Sequence, residues 1–365
     1  MFRLAARPDR CHFTATPGHA VAGAGRVDQI GLPSIPSTSC CKHTAARADR
    51  LMSDTNSPEP RLDYVMCASP SGTHRMAYWE WGRPDNDKVL LCVHGLTRCG
   101  RDFDDLARRM APHYRVVCPD LAGRGKSDWL LNPAGYAVPQ YAADMLTLIA
   151  RLAPARLDWV GTSLGGLIAL GLAGALAMSA AQRPDRGEFG LPRDATLPLG
   201  KIVLNDIGPR LDPGGMGRFA DYVGKGAVFD RFEDAVTYVQ SVSEGFGPHT
   251  QAQWQRLTRN VFNQQGGQWI KHYDLRIAEP MALQDEAMLK AAELTLWAAY
   301  DSLRTPVLLL RGQRSDLLTA DTAREMLARN THARLVEFAQ VGHAPTLMSD
   351  EQIDPVQRFL LEASP

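Results

Sequence analysis

The chain has 365 residues, with 40 Lys and Arg against 40 Asp and Glu. That length admits one large domain, or a domain carrying an insertion, and an α/β core of this size buries its interior readily. A formal net charge of zero argues against a nucleic-acid partner, because such binders gather Lys and Arg on one face. No apolar run reaches the roughly 20 residues of a membrane span; the longest candidate, 164–180, is rich in Gly and Ala and reads as a core helix behind a strand.

Residues 1–60 show no sustained helical or strand period. The segment reads as a disordered leader, or as an upstream extension outside the natural protein, with Met52 opening "MSDTNSPEPRLDY" as the alternative start. Its Arg- and Ser-containing, acid-poor composition also admits a transit peptide. The chain has seven cysteines, with no Cys-x-x-Cys, and Cys92 and Cys118 sit inside apolar runs. This pattern predicts a reducing compartment, the cytoplasm or an organelle if the leader is genuine, without a disulfide framework or a cysteine-ligated zinc.

From residue 62 the pattern is regular. "RLDYVMCAS" and "HRMAYWEWG" read as strands joined by the turn "SPSGT". "KVLLCVHG" is a continuous apolar run ending in Gly, as a strand buried on both faces should be. The helix "RDFDDLARRMAP", the strand "YRVVCPD" and the helix "VPQYAADMLTLIARLA" follow. Next come the strand "ARLDWVGT", the helix "SLGGLIALGLAGALAMSA" and the strand "GKIVLNDIG". The alternation stops after Asp206. Residues 209–298 read as mostly helical and rich in aromatics, with no buried strand run. Strands resume with "TPVLLLRG", then the helix "TADTAREMLARN", the strand "ARLVEFAQ" and a last helix from about 350. Alternating strands and helices predict an α/β fold, a mostly parallel sheet with helices on both faces. The domain splits into a core at 61–208 and 299–365 with the helical block 209–298 inserted between successive strands.

Gly161-Thr162-Ser163-Leu164-Gly165 fits G-x-S-x-G, with a strand before it and a helix after it. A tight strand-to-helix turn strains the serine backbone and needs small flanking residues, and it holds the hydroxyl clear of the sheet edge at a helix N-terminus. The plainer reading is a Gly-rich corner needed only for packing. A serine nucleophile needs a base, and "QVGHAPTL" supplies His343 in a loop between the last strand and the last helix. The base needs an orienting carboxylate. Asp316 in "RGQRSDLLT" gives the order Ser, Asp, His expected of this chemistry; Asp206, ending the preceding strand in "LNDIGP", is the rival that could reach the same imidazole. The oxyanion donors are expected to be the backbone N–H groups of Leu164 and Leu96. His94 reads as a brace for its loop, and Asp120 as a brace acting with Arg124. Arg98 either holds a substrate carboxylate or pairs with Asp102 four residues on. No nucleotide fingerprint or metal-ligand cluster is apparent, so no cofactor and no metal are expected, and no signal for an oligomeric state is apparent.

With His94-Gly95, Asp120 to Ser127, Gly161 to Gly166, Asp316 and Gly342-His343 in place, the sequence resembles the α/β-hydrolase superfamily over roughly 62–362. The resemblance implies an eight-stranded, mostly parallel sheet and a lid between strands six and seven, matching 209–298. It implies a serine hydrolase acting on a small-molecule carboxylic ester, with substrates bearing a free acid, such as short 3-hydroxyacid oligoesters, favoured if Arg98 faces the pocket. The alternatives are hydrolysis of a C–C bond in a ring-cleavage dienoic acid, cofactor-free perhydrolysis, and a catalytically weak ligand receptor on the same fold.

Overall fold

The computed structural model describes residues 59–182, 197–212, 219 and 222–363. The leader read at 1–60 lies outside them, apart from its last two residues. Two strands open the fold as a hairpin, β1 (Arg61–Ser69) and β2 (Gly72–Trp81), paired antiparallel from Arg61↔Glu80 to Ser69↔Gly72. Then come β3 (Lys88–Val93), α1 (Asp104–Met110), β4 (Arg115–Pro119), α2 (Val138–Leu152), β5 (Arg156–Thr162), α3 (Leu164–Gln182) and β6 (Leu199–Asn205). The inserted segment holds β7 (Val228–Phe229), α4 (Phe232–Val242), α5 (Gln251–Arg259), β8 (Phe262–Gln265), β9 (Gln268–Lys271), α6 (Glu279–Ala282) and α7 (Glu286–Ser302). The core resumes with β10 (Val307–Gly312), α8 (Ala320–Arg329), β11 (Ala333–Phe338) and α9 (Asp350–Leu361).

Eight strands form one sheet in the order β1-β2-β4-β3-β5-β6-β10-β11. Only the pairings of β2 with β1 and β4 are antiparallel. The central strands are buried on both faces because they carry apolar residues at successive positions. In β10, Val307 and Leu309 join one apolar cluster and Leu308 and Leu310 the other. The first cluster takes residues of α2, α3, α7 and α8; the second takes Leu106 and Met110 of α1 and Ile353, Val356 and Phe359 of α9. Each such fully buried side chain contributes roughly 2 kcal/mol of apolar transfer. Together they hold the carboxyl ends of β3, β5, β6 and β10 side by side, the edge where open α/β sheets place their ligands.

The inserted segment departs from the helical reading. It contains a three-stranded antiparallel sheet, β7-β9-β8, beside its helices. Periodicity misses strands of two to four residues. The available signal was Gly266-Gly267, a two-residue turn with φ of +57° and +85° joining "FNQQ" to "QWIK", since a Gly-Gly pair supplies the positive φ that tight hairpins require. The last helix of the segment, α7, belongs with the core: it packs on α3, and Trp297 and Tyr300 are buried in the first apolar cluster. The rest of the segment has its own small core of Ala235, Val236, Val239, Trp254, Leu257, Val261 and Phe262, completed by Met348 from the loop before α9.

Candidate active site

Ser163 stands between the end of β5 and the start of α3 with φ +52°, a left-handed conformation that a non-glycine residue adopts only where its surroundings enforce it. The turn is tight enough to fix its neighbours. A Cβ on Gly165 would lie 2.0 Å from the Val93 carbonyl oxygen, and one on Gly161 2.5 Å from the backbone of Gly165 and Gly166. Ser163 N–H donates to the Asn205 carbonyl at 2.9 Å, which ties the turn to the end of the neighbouring strand β6.

His343 reaches this serine from the loop between β11 and α9. Its Nε2 lies 2.8 Å from Ser163 Oγ, and its Nδ1 lies 2.8 Å from Asp206 Oδ2. A carboxylate only accepts, so Nδ1 carries the proton and Nε2 presents its lone pair to the serine hydroxyl. The loop is held where it must be. Asn205 Nδ2 donates to the Pro345 carbonyl at 2.8 Å, and Gly342 N–H donates to the Gly245 carbonyl at 2.6 Å. The Phe219 ring meets the imidazole edge-on at 5.7 Å between centroids.

The acid beside His343 is Asp206, which corrects the expectation of Asp316. Asp206 is fully buried, with φ +57°. Its Oδ1 accepts from Gly312 N–H at 2.8 Å, and its Oδ2 accepts from the Ser315 hydroxyl at 2.6 Å as well as from His343. Asp316 is exposed. The segment "RSD" after β10 thus sends its serine, not its aspartate, to the site. The path of the His343 loop explains the difference: Asn205, at the end of β6, holds it through the Pro345 carbonyl, which brings the imidazole against Asp206, the next residue in the chain.

The loop after β3 packs against the serine: a Cβ on Gly95 would lie 3.6 Å from Ser163 Cβ. The N–H groups of Leu96 and Leu164, the expected oxyanion donors, have no backbone hydrogen bond among the described residues, as groups waiting for a ligand oxygen should. His94 braces this loop. Its Nε2 accepts from Leu121 N–H at 2.9 Å, its Nδ1 donates to the Gly95 carbonyl at 2.7 Å, and burial pushes its pKa down to about 3, so it stays neutral. Asp120 braces too, but through the N–H groups of Gly100 and Lys126 and the indole of Trp79. The guanidinium of Arg124, expected beside Asp120, instead donates to the carbonyls of Leu96 and Ala122 and to the Tyr141 hydroxyl.

A cavity of about 1000 Å³, counted with its open mouth, lies over these groups. Its floor includes Gly95, Leu96, Ser163 and His343, and its walls include Val239, Val242, Phe246, Val261 and Phe262 of the inserted segment. Besides the bond from Gly342 N–H to the Gly245 carbonyl, two side-chain hydrogen bonds tie that segment to the loop carrying His343: His249 Nε2 to Thr346 Oγ1 at 2.8 Å, and Gln253 Nε2 to the Met348 carbonyl at 3.1 Å.

Of the two readings of Arg98, the structure shows the pairing with Asp102. Arg98 lines the cavity, and it pairs with Asp102 through Nε at 2.5 Å and Nη2 at 2.9 Å. Nη2 also donates to the Leu257 carbonyl, while Asn260 Nδ2 donates to Asp102 at 2.7 Å. The guanidinium charge is therefore already matched, in a pair that is largely buried and links the loop after β3 to the end of α5. Arg98→Ala leaves Asp102 without its cation, and breaking such a pair from one side costs about 3 kcal/mol. The urea midpoint of that variant is expected to fall accordingly; an unchanged midpoint counts against the pair as a structural tie.

Among the described residues, one group could hold a metal ion: Cys67, His74 and Asp144, whose donor atoms lie within 4.8 Å of one another. None of the three lines the cavity. Burial and Asp144 push the Cys67 thiol up to about 12, so it is a hydrogen-bond donor and not a thiolate, and His74 Nε2 contacts the same carboxylate at 3.1 Å. The group is read as a hydrogen-bonded brace between the first hairpin and α2.

The chain matches a family described as the alpha/beta hydrolase family over residues 90–356. It is 45% identical to a 3-hydroxybutyrate-oligomer hydrolase of Cupriavidus necator over 311 residues, covering 84% of this chain and 100% of that protein. It is 30% identical to a pimeloyl-[acyl-carrier protein] methyl ester esterase of Xanthomonas campestris over 283 residues, 74% of this chain and 94% of that one. A crystal structure of an alpha/beta hydrolase from Novosphingobium aromaticivorans superposes with a TM-score of 0.69 at 33% identity, covering 83% of this chain and 98% of the other.

Proposed function

The chain belongs to the alpha/beta hydrolase family and is a carboxylic ester hydrolase, and we propose that it cleaves short 3-hydroxyacid oligoesters through an acyl-enzyme on Ser163. The observation that carries the mechanism is the unbroken line of hydrogen bonds from Ser163 through His343 to Asp206. His343 Nε2 takes the hydroxyl proton as Oγ attacks the acyl carbon. The N–H groups of Leu96 and Leu164 receive the oxyanion. The imidazolium then gives its proton to the leaving alcohol oxygen as the C–O bond breaks, and the same nitrogen activates the water that releases the acid. Asp206 fixes the imidazole tautomer and stabilises its cation. The inserted segment acts as the lid, its apolar walls standing over Ser163.

The identity of 45% to a protein named for 3-hydroxybutyrate oligomers supports the substrate class. No helix of the described residues is long and apolar enough to cross a membrane. The free, buried thiols of Cys67, Cys92, Cys99 and Cys118 support a reducing compartment, the cytoplasm.

The test is a panel of esters varying in number of units and in the presence of a terminal carboxylate, with fluorophosphonate labelling of Ser163 in parallel. Turnover of dimers and trimers with stoichiometric labelling is expected. Labelling without turnover of any ester would point instead to a ligand receptor, and cleavage of a ring-fission dienoic acid in preference to esters would point to C–C hydrolysis.

A further inference from the structure

A second cation lines the cavity besides Arg98, and among the described residues nothing of opposite charge meets it. Lys271 is the last residue of β9, and it is 9% exposed. Its Nζ donates to the Lys225 carbonyl at 2.7 Å and to the Tyr238 hydroxyl at 2.9 Å; the Tyr222 carbonyl, at 3.4 Å, is at the limit of a hydrogen bond. Neutral dipoles surround the ammonium, and among the described residues no carboxylate pairs with it. Burial pulls its pKa down to about 8, as expected for a charge that nothing compensates. The ammonium also lies 5.0 Å from the Tyr238 ring centre and 5.4 Å from that of Tyr273.

Tyr273 adds an independent observation. It lines the same cavity and is 3% exposed, yet its hydroxyl has no hydrogen-bond partner among the described residues. A buried hydroxyl left unpaired costs more than a bond to it returns, so such a group in a cavity wall marks a place where a ligand supplies the partner. Tyr238, whose oxygen accepts from Lys271, retains its own O–H for donation. Three donors from α4, β9 and the residues after β9 thus converge in one wall, without an acceptor of matching charge.

We propose that Lys271, Tyr273 and Tyr238 form an anion subsite that takes the free carboxylate of the substrate. This rests on the reading of the cavity as an esterase site for hydroxyacid oligomers, and it gives the substrate a direction. In a linear hydroxyacid oligoester the free acid belongs to the alcohol fragment of the terminal ester bond. Carboxylate capture in this wall therefore selects the leaving group. Water is consumed, the terminal acyl C–O bond breaks, and the hydroxyacid that departs is the unit held by Lys271, so the oligomer is shortened from its acid end. Arg98, already neutralised by Asp102, is not the selecting cation.

The experiment compares a 3-hydroxybutyrate dimer with the same dimer capped as its primary amide. The wild-type enzyme is expected to prefer the free acid. Lys271→Gln keeps a donor for the Lys225 carbonyl and removes the charge; it is expected to raise KM for the acid at least about tenfold more than for the amide. Tyr273→Phe is expected to shift the ratio in the same direction by less. Equal effects on acid and amide in both variants, or no preference in the wild type, would overturn the subsite. Should neither dimer be cleaved, the subsite is read separately from the protection that the free-acid dimer gives Ser163 against fluorophosphonate. Protection by the acid, absent with the amide and lost in Lys271→Gln, retains the subsite while the oligoesterase reading fails; absence of protection removes both.

Discussion

Asp206→Asn is expected to lower kcat on a neutral ester by roughly 10⁴-fold, whereas Asp316→Asn is expected to stay within about twofold, as exposed substitutions usually do. The difference follows from one proton. The carboxylate of Asp206 only accepts, so it forces the hydrogen of the neutral imidazole onto Nδ1 and leaves Nε2 as a base 2.8 Å from Ser163 Oγ. An asparagine can still accept from Gly312 N–H through its oxygen, which turns its amide N–H₂ toward His343. The imidazole then accepts at Nδ1 and carries its hydrogen on Nε2, where it can no longer take the serine proton. The two variants should be compared by steady-state kinetics alongside thermal unfolding. Because the carboxylate is fully buried among three donors, Asp206→Ala would confound lost orientation with lost stability, and the near-isosteric amide separates them. If Asp316→Asn were the variant that loses four orders of magnitude, the placement of Asp206 would not describe the working enzyme.

Ser163 and His343 were legible because each is announced by its own neighbours. The glycines around Ser163 stand where a Cβ would collide with neighbouring backbone, and the strand before and helix after them can be read directly from apolar runs. The acid was not legible in this way. Asp206 and Asp316 both follow a strand and both precede His343 in the chain, so the choice depends on which of them the loop carrying His343 meets. The path of that loop leaves no mark on local sequence, and it is read from the hydrogen bonds of Asn205 to the Pro345 carbonyl and of His343 to Asp206. Ser315, whose hydroxyl binds Asp206, lies one residue from the aspartate that the motif favoured. The inserted segment was hardest to read for a related reason. Its short strands bury few residues each, and its cavity-facing Lys271 sits in "QWIKHYD", where a lysine between aromatics gives no hint that its charge faces inward rather than solvent. The alternation of the core was legible because burial on both faces writes continuous apolar runs into every central strand.

Ser163→Ala is expected to abolish ester turnover, a loss of about 10⁶-fold or to the detection limit, and to abolish fluorophosphonate labelling with it. The double variant with Asp206→Asn should fall no further, because groups that act as one unit do not contribute additively. The backbone supplies a second, independent measurement. Ser163 has φ +52°, and alanine at that position carries the same Cβ and the same strain, so Ser163→Ala should leave unfolding stability nearly unchanged. Ser163→Gly removes the Cβ and should raise stability by about 1 kcal/mol, the cost of a left-handed non-glycine residue less the added freedom of the unfolded chain. A glycine would thus be the more stable choice for the corner, and the serine persists there at a cost to the fold. A packing role alone predicts the opposite ordering in the chemistry: turnover surviving in both variants. Stability that rises in Ser163→Gly while turnover vanishes in both would tie the strain of the turn to the hydroxyl it presents beneath the cavity.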